Sequence, residues 1–304
     1  MRVSRGVLLL LSLLTLSAQE AKFSTDVNVV TLLATVRDRE GGFVKDLDRN
    51  DFVLLEDGVP QTIRYFSQES GLPLTIGLLV DTSRSQTGVL ERERSASYTF
   101  LDQVLRDSDR AFIAHFDVNV EVLQGFTSSR PDLDAALAQL RIPGQIATRL
   151  YTAVRDCSEN LMRQRRGRKA YILLSDGVAF RDQISIVTAI EYAQRADTII
   201  YSILFADHAP LYRPGKRAIE TMVASHGRKA MQRLAEETGG AFFQVTGDQP
   251  IEKIYTQIED ALRNQYSIGY TPQRTNANGS YRKIKLTAVR PGLMVRTRDG
   301  YYPK

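Results

Sequence analysis

The sequence predicts an α/β protein: a doubly wound, mostly parallel sheet inserted into a β-sandwich built from the N- and C-terminal flanks. Three observations predict it. Apolar runs of strand character alternate with helical patterns through the middle of the 304 residues, as expected of βα units around a parallel sheet. The flanks lack that alternation and read as strands and turns only. Neither flank is large enough for a core of its own, and the ends of an inserted domain usually lie close together, so one sandwich made from both is the economical arrangement. The expected divisions are a leader at 1–18, an N-terminal sandwich segment at 19–71, the α/β domain at 72–265 and a C-terminal sandwich segment at 266–304.

Met1-Arg2-Val3-Ser4-Arg5 is short and basic, Val7 to Leu16 is apolar apart from Ser12 and Thr15, and Ser17-Ala18 follow. That is the layout of a secretory signal peptide cut after Ala18, with an uncleaved anchor as the alternative. The run is shorter than the roughly 20 apolar residues a spanning helix needs, and no later run is longer. No Cys lies near the cut, which argues against lipidation. The chain is therefore expected to be secreted or periplasmic, with no transmembrane segment once the signal is removed.

In the first flank, Val27–Arg37 is rich in β-branched residues and ends in the turn Asp38-Arg39-Glu40-Gly41-Gly42. Asp51–Glu56 and Gln61–Phe66 flank Asp57-Gly58-Val59-Pro60 and read as a hairpin. Next come a strand Leu74–Val80, a helix from Gln86 to Leu105, and strands Arg110–Phe116 and Val120–Leu123. A short helix Pro131–Leu140 has Pro in its first turn, where helices accept it. Helix Thr148–Arg163, strand Ala170–Ser175, helix Ile184–Arg195 and strand Thr198–Phe205 follow. Helix Lys216–Thr238 is either continuous or split near Gly227, and Gly239-Gly240 caps it. Strand Ala241–Val245 and helix Pro250–Asn264 close the α/β domain. The last flank offers strands Gln265–Tyr270, Tyr281–Val289 and Gly292–Thr297, with Asn276-Ala277-Asn278-Gly279 as a turn.

The chemistry concentrates where two strands end. Thr75–Val80 is followed at once by Asp81-Thr82-Ser83-Arg84-Ser85. A carboxylate at the end of a buried strand is costly unless it is paired or binds a metal. A turning loop can aim the oxygens of Asp81, Ser83 and Ser85 at one point, and an oxygen-only donor set suits a hard divalent cation such as magnesium, manganese or calcium. The other reading of the same residues is a strand-end turn followed by a helix N-cap. Lys169–Asp176-Gly177 repeats the pattern of apolar run, acid and turn glycine. Between the two lies Gln145–Tyr151, a loop that enters a helix near Thr148.

At these residues the sequence resembles a von Willebrand factor type A domain. Asp81, Ser83 and Ser85 match that family's D-x-S-x-S motif, Thr148 its lone threonine, and Asp176 the aspartate of its second strand end. The resemblance implies a metal-ion-dependent adhesion site on those five residues, magnesium being the first choice and manganese or calcium the alternatives. It also implies that Val120–Leu123 is the one antiparallel arm of the sheet. Many members carry Gly where this chain has Ala147. In open α/β sheets, ligands bind beyond the carboxyl ends of the strands, which is where Asp81 and Asp176 fall. The whole mature chain also resembles a group of secreted acidobacterial proteins related to von Willebrand factor A domains. That resemblance rests on Val36-Arg37-Asp38, Leu47–Phe52 and Glu56-Asp57-Gly58 at one end, and on Tyr266–Pro272 and Arg296–Tyr301 at the other. It implies architecture and a metal site without naming a partner.

The remaining composition excludes more than it suggests. Lys and Arg number 40 against 35 Asp and Glu, a formal charge of +5; loss of Arg2 and Arg5 with the leader reduces this to +3 (5 − 2). So small an excess does not point to nucleic acid. Arg163–Lys169 is the one dense basic cluster and reads as a solvated helix end and loop, the alternative being a contact for an acidic partner or membrane surface. A single cysteine, Cys157, excludes an internal disulfide; with Leu150, Val154 and Leu161 it keeps helical spacing, so a core position is the simplest reading, against an intermolecular disulfide. His115, His208 and His226 lack metal-ligand spacing, and no nucleophile elbow, H-E-x-x-H or Walker loop occurs.

Two function classes follow. The first is a non-enzymatic extracellular binding module. Two aspartates balance a divalent ion, neutral hydroxyls complete much of its shell, and a carboxylate of an extracytoplasmic protein or matrix ligand fills the open position. Loops after Val80, at Phe116–Asn119, Gly144–Thr148 and Asp176–Gln183 would set partner choice, with Arg84, Arg149 and Arg181 either facing an acidic surface or merely solvated. The second class is a metal-dependent hydrolase with activated water in the same position, for which no general base is recognisable. A structural envelope component is the remaining alternative.

Overall fold

The computed structural model describes residues 29–68, 71–144, 146–205, 217–273 and 279–303; the leader and its cleavage point, Gln145, His208 and most of the 276–279 turn lie outside the described residues. The α/β domain is built on a six-stranded sheet. Its strands are β5 (Leu74–Asp81), β6 (Arg110–Phe116), β7 (Val120–Thr127), β8 (Arg168–Ser175), β9 (Ile199–Leu204) and β10 (Phe242–Gln244). β1 (Val30–Arg37), β2 (Phe52–Glu56), β3 (Val59–Gln61) and β4 (Ile63–Gln68) precede it; β11 (Tyr266–Tyr270), β12 (Arg282–Ala288), β13 (Met294–Arg296) and β14 (Gly300–Tyr301) follow. The helices are α1 (Leu90–Val104), α2 (Arg130–Leu137), α3 (Leu150–Cys157), α4 (Ile186–Arg195), α5 (Arg217–Thr238) and α6 (Ile251–Arg263).

The central order is β10-β9-β8-β5-β6-β7. All pairings are parallel except β6 with β7, which is antiparallel. β5 and β8 are buried along their whole length, which is why Ile76–Val80 and Ala170–Leu174 read as runs without polar residues. Their side chains alternate between two cores. Ile76, Leu78, Val80, Ile172 and Leu174 join α1, α2 and α6; Leu79, Tyr171 and Leu173 join α3, α4 and α5. Gly77 interrupts this run for a steric reason: a Cβ there would lie 2.5 Å from Phe112 Cζ and 2.7 Å from Tyr171 Cδ1.

The flanks interleave. One four-stranded sheet has the order β13-β1-β11-β4 and the other β14-β12-β2-β3, so each contains strands from both ends of the chain. They share one core, including Leu32, Val36, Phe52, Leu54, Tyr266, Ile268, Ile284 and Leu286. Inside it Glu56 is buried but satisfied: it accepts hydrogen bonds from Arg282 at 2.6 Å, Tyr270 at 2.5 Å and Tyr301 at 3.0 Å. A charge there is tolerable only because it is paired and hydrogen-bonded.

Several expected elements differ. The hairpin turn is Asp57-Gly58 alone; both have positive φ, 49° and 80°, as a two-residue type I′ turn requires. Val59–Gln61 then pairs with β2, with Pro60 on a sheet edge where it removes no needed donor. After Thr62 the chain crosses to the other sheet, so the expected strand Gln61–Phe66 does not complete the hairpin. The helix expected from Gln86 starts at Leu90, preceded by a 3-10 turn Arg84–Gln86; Thr87-Gly88 are weak helix formers. Helix α5 is unbroken at Gly227, whose missing side chain serves a close approach: a Cβ there would lie 2.4 Å from the Asp176 carbonyl oxygen. The basic cluster is not all solvated. Arg168 and Lys169 are buried in β8; Arg168 donates to the Leu262 carbonyl at 2.6 Å and also to that of Leu72, and Lys169 donates to the Arg165 carbonyl at 3.0 Å. Cys157 is a core residue, its thiol pushed up to about 12 by burial and then by Asp156.

Candidate metal centre

Asp81 ends β5 and Asp176 follows β8, its direct neighbour in the sheet. The two carboxylates therefore emerge side by side at the carboxyl edge. Asp81 is fully buried. It accepts from the Ser83 backbone N–H at 2.9 Å and from the Ser175 hydroxyl at 2.6 Å, while Ser175 in turn accepts from the Gly177 N–H at 2.9 Å. Asp176 is half-buried; it accepts from the Val178 N–H at 2.9 Å and from the Ser85 hydroxyl. Ser83 and Ser85 touch, hydroxyl to hydroxyl, at 3.0 Å. Four of the five expected residues thus form one hydrogen-bonded cluster.

Thr148 is buried in the adjoining loop. Its N–H donates to the Phe180 carbonyl at 2.8 Å, and the Arg149 N–H donates to the Asp117 carbonyl at 3.0 Å. These bonds tie its loop to the segments after β8 and β6, and they divert the two residues from the helix expected to begin at Thr148. Asp182 completes the arrangement. It accepts from the N–H groups of Tyr151 at 2.7 Å and Thr152 at 3.1 Å and from the Thr152 hydroxyl at 2.6 Å. It therefore supplies a helix cap from 30 residues away, a distance at which no local sequence signal survives. Thr82 is the anchor on the other side, its hydroxyl 2.9 Å from both His115 Nδ1 and Asp117 Oδ2.

Electrostatics separates this cluster from an ordinary turn. Burial, and after it the charge of Asp176, push Asp81 up to about 7, against the hydrogen bonds from Ser175 and Ser83. Asp176 is raised as well, mainly by burial, with Ser85 and Val178 holding it down. Among the described residues, no Lys or Arg forms an ion pair with either carboxylate. Two carboxylates forced together without a counter-charge, ringed by hydroxyl oxygens, fit a hard divalent cation. The described residues contain no group of three or more His, Cys, Asp and Glu side chains positioned to hold a metal; the donors here are two carboxylates plus hydroxyls.

The family model for the von Willebrand factor type A domain matches residues 75–257. No curated protein matches the chain. Among solved structures, BatB from Bacteroides thetaiotaomicron is similar at 15% identity and TM-score 0.44, covering 63% of this chain and 97% of its own. The von Willebrand factor domain of the type V pili tip protein Mfa5 from Porphyromonas gingivalis is 12% identical with TM-score 0.48, covering 63% of this chain and 95% of its own. Proximal thread matrix protein 1 from the mussel byssus, solved with a zinc-occupied MIDAS motif, is 13% identical with TM-score 0.48, covering 69% of this chain and 50% of its own. The family model spans more than half of the sequence and includes both strand-end aspartates: the chain belongs to the von Willebrand factor type A domain family.

Proposed function

We propose that this protein is an extracytoplasmic binding module that grips an acidic residue of a macromolecular partner through a divalent cation. Asp81, Ser83, Ser85, Thr148 and Asp176 would hold the ion, magnesium first, with manganese or calcium as alternatives. Bound there, the cation supplies an electrophilic position that a partner carboxylate can fill. The observation that carries this reading is the pair of unneutralised carboxylates, each bonded to a hydroxyl or N–H of the D-x-S-x-S loop. Ser85 is exposed and Asp176 half-buried, so one side of the cluster faces solvent.

The surroundings support a protein partner. Ile146 and Phe180 are large, apolar and exposed, at 56% and 46%, and their loops are joined by the Thr148-to-Phe180 hydrogen bond. Exposed apolar anchors beside a polar centre are typical of recognition surfaces. Arg84 and Arg181 are also exposed on these loops and would favour an acidic partner. The leader at 1–18 is proposed as the export signal. No helix among the described residues is long and apolar enough to cross a membrane. The flanking motifs support placement in the secreted acidobacterial group.

The test is a pulldown from extracytoplasmic extract with wild type and Asp176→Ala, each with and without chelator. The expected partner is retained by wild type with magnesium only, and free acetate or an acidic peptide competes. Retention in all four conditions would refute metal-mediated binding. Hydrolysis of a generic ester or phosphate that disappears in Asp176→Ala would favour the hydrolase.

A further inference from the structure

Buried polar side chains nearly always find partners, and Gln86 and Glu93 break that rule together. Both are fully buried. Among the described residues, neither carboxylate oxygen of Glu93 and neither side-chain amide atom of Gln86 has a hydrogen-bond partner. The two share a face. The Val89 N–H donates to the Gln86 carbonyl and the Glu93 N–H to the Val89 carbonyl, each at 3.0 Å; steps of three and four residues bring side chains to one side. Gln86 directly follows Ser85 of the metal-binding loop. One turn further along that face, Ser97 is satisfied by Tyr255 at 2.9 Å, and beyond it Phe100, Leu101 and Val104 are apolar core. The unsatisfied polar groups are thus confined to the end of the stripe nearest the metal centre.

Glu93 also senses that centre. Burial, then the charges of Asp81 and Asp176, raise its carboxyl well above the ordinary range. An apolar residue at this position would continue the stripe of Leu90, Phe100 and Leu101 without that penalty. A third acid with no cationic partner behind two others is explicable if the charge it faces is a bound cation. The three acids do not form a group that could hold one ion together, and Glu93 is buried where the charges of Asp81 and Asp176 reach it.

We infer that Glu93 and Gln86 form the inner wall of the cation centre: Glu93 is a third carboxylate that balances the ion's charge from the buried side, and Gln86 links it to the ligand layer through water. This rests on the metal reading proposed above. The role is one of positioning and charge, not ligation. It makes the centre more anionic than two aspartates would, and so favours ions of higher charge.

The experiment titrates the full chain with Mg2+, Ca2+ and Tb3+ by calorimetry and, for Tb3+, by luminescence. It compares wild type, Asp176→Ala, Glu93→Gln and Glu93→Met, with far-UV circular dichroism as the fold control. Glu93→Gln should weaken Mg2+ and Ca2+ about tenfold, the lower end for residues behind a ligand shell. Because Coulomb attraction scales with ion charge, a tenfold loss for a divalent ion corresponds to about thirtyfold for Tb3+. Without metal, Glu93→Gln should melt at a higher temperature than wild type. Glu93→Met, of similar volume and without polar oxygens, must reproduce these effects, and serves if Glu93→Gln does not fold. Unchanged affinities in both Glu93 variants, with loss in Asp176→Ala, would overturn this inference alone. Equal losses for divalent and trivalent ions would show a purely structural role and also overturn it. Wild type that binds none of the three ions would overturn the metal reading and this inference together.

Discussion

Replacing a ligand of the proposed centre should stabilise the metal-free protein, and Asp81→Asn is the sharpest case. Asp81 is fully buried and titrates near 7 in the folded chain, because burial and then Asp176 oppose its ionisation. Its ordinary value is 3.8. The sign follows from proton linkage. Below about pH 4 the acid is protonated in both states and opposes nothing. As pH rises towards 7, the unfolded chain ionises first while the folded chain keeps its proton, so stability falls by up to about 1.4 kcal/mol per pH unit. Once the folded form has ionised too, the accumulated loss is on the order of 4 kcal/mol. Asparagine occupies the same volume, keeps an acceptor for the Ser83 N–H, and carries no charge.

Urea denaturation in chelator across pH 4.5–8 is the assay. Wild type should lose stability steadily across that range, and the wild-type minus Asp81→Asn difference should grow to a few kcal/mol by pH 8. The difference reports Asp81 together with the relief that loss of its charge gives Glu93, and Asp176 is raised too. Saturating magnesium should narrow that difference, since an ion that binds only the folded form stabilises it by mass action, about 2.7 kcal/mol at a hundredfold excess over Kd and about 4.1 kcal/mol at a thousandfold excess. Asp81→Asn should gain nothing. A flat pH profile in metal-free wild type, or an Asp81→Asn variant less stable than wild type at pH 8, would refute the electrostatic account of this site.

Gly77→Ala should cost about 1–3 kcal/mol in the same denaturation assay, because its Cβ would lie within 2.7 Å of both Phe112 and Tyr171. Gly227→Ala presses a methyl to 2.4 Å from the Asp176 carbonyl oxygen; it should lower both the melting temperature and magnesium affinity measured by calorimetry. Asp109 accepts from Leu74 at 2.7 Å and from Arg263 at 2.7 Å, contacts that hold its carboxylate below the usual range despite burial. Asp109→Asn should lose about 3 kcal/mol near neutral pH; because the folded pKa is depressed, the gap should close as pH falls through it. The segment 72–265 expressed alone should give a cooperative α/β melt by circular dichroism, whereas 19–70 and 266–304 should order only when mixed; an ordered 19–70 fragment would refute the shared sandwich.

What was legible in the sequence followed from burial. β5 and β8 announce themselves because both faces are covered, so Ile76–Val80 and Ala170–Leu174 run without a polar residue until Asp81 or Ser175-Asp176. The sites of error are long-range. Asp182 caps a helix that begins far upstream, and Arg168 reads as a solvated cation only because its carbonyl partners belong to segments nearly a hundred residues away. β14 is two residues long and holds its place through β12, too short for any periodic signal. Glu93 was hidden by composition, since Glu91-Arg92-Glu93-Arg94 looks like a solvated face. Its spacing from Leu90, Ser97 and Leu101 nonetheless puts it on the buried stripe, and that periodicity was the available signal.

Backbone hydrogen bonds organise the proposed centre. The Asp81 and Asp176 side chains are oriented by the N–H groups of Ser83 and Val178. The Thr148 loop is fixed by the Phe180 and Asp117 carbonyls, and α3 by Asp182. A cation arriving at these oxygens has little chain to order, so its binding free energy is opposed mainly by dehydration and by displacement of bound protons. The same rigidity keeps the carboxylates from relaxing apart when no ion is present. That is why burial, with the repulsion of Asp176 added at Asp81, appears as carboxyls that ionise less readily, and why the fold carries it as a loss of stability. Affinity for a partner acid should therefore depend on how completely the buried carboxylates quench the ion. Asp81 and Asp176 do so as ligands. Glu93 does so from behind, and removing its charge should weaken the ion's hold on the protein while sharpening the ion's attraction for a partner carboxylate.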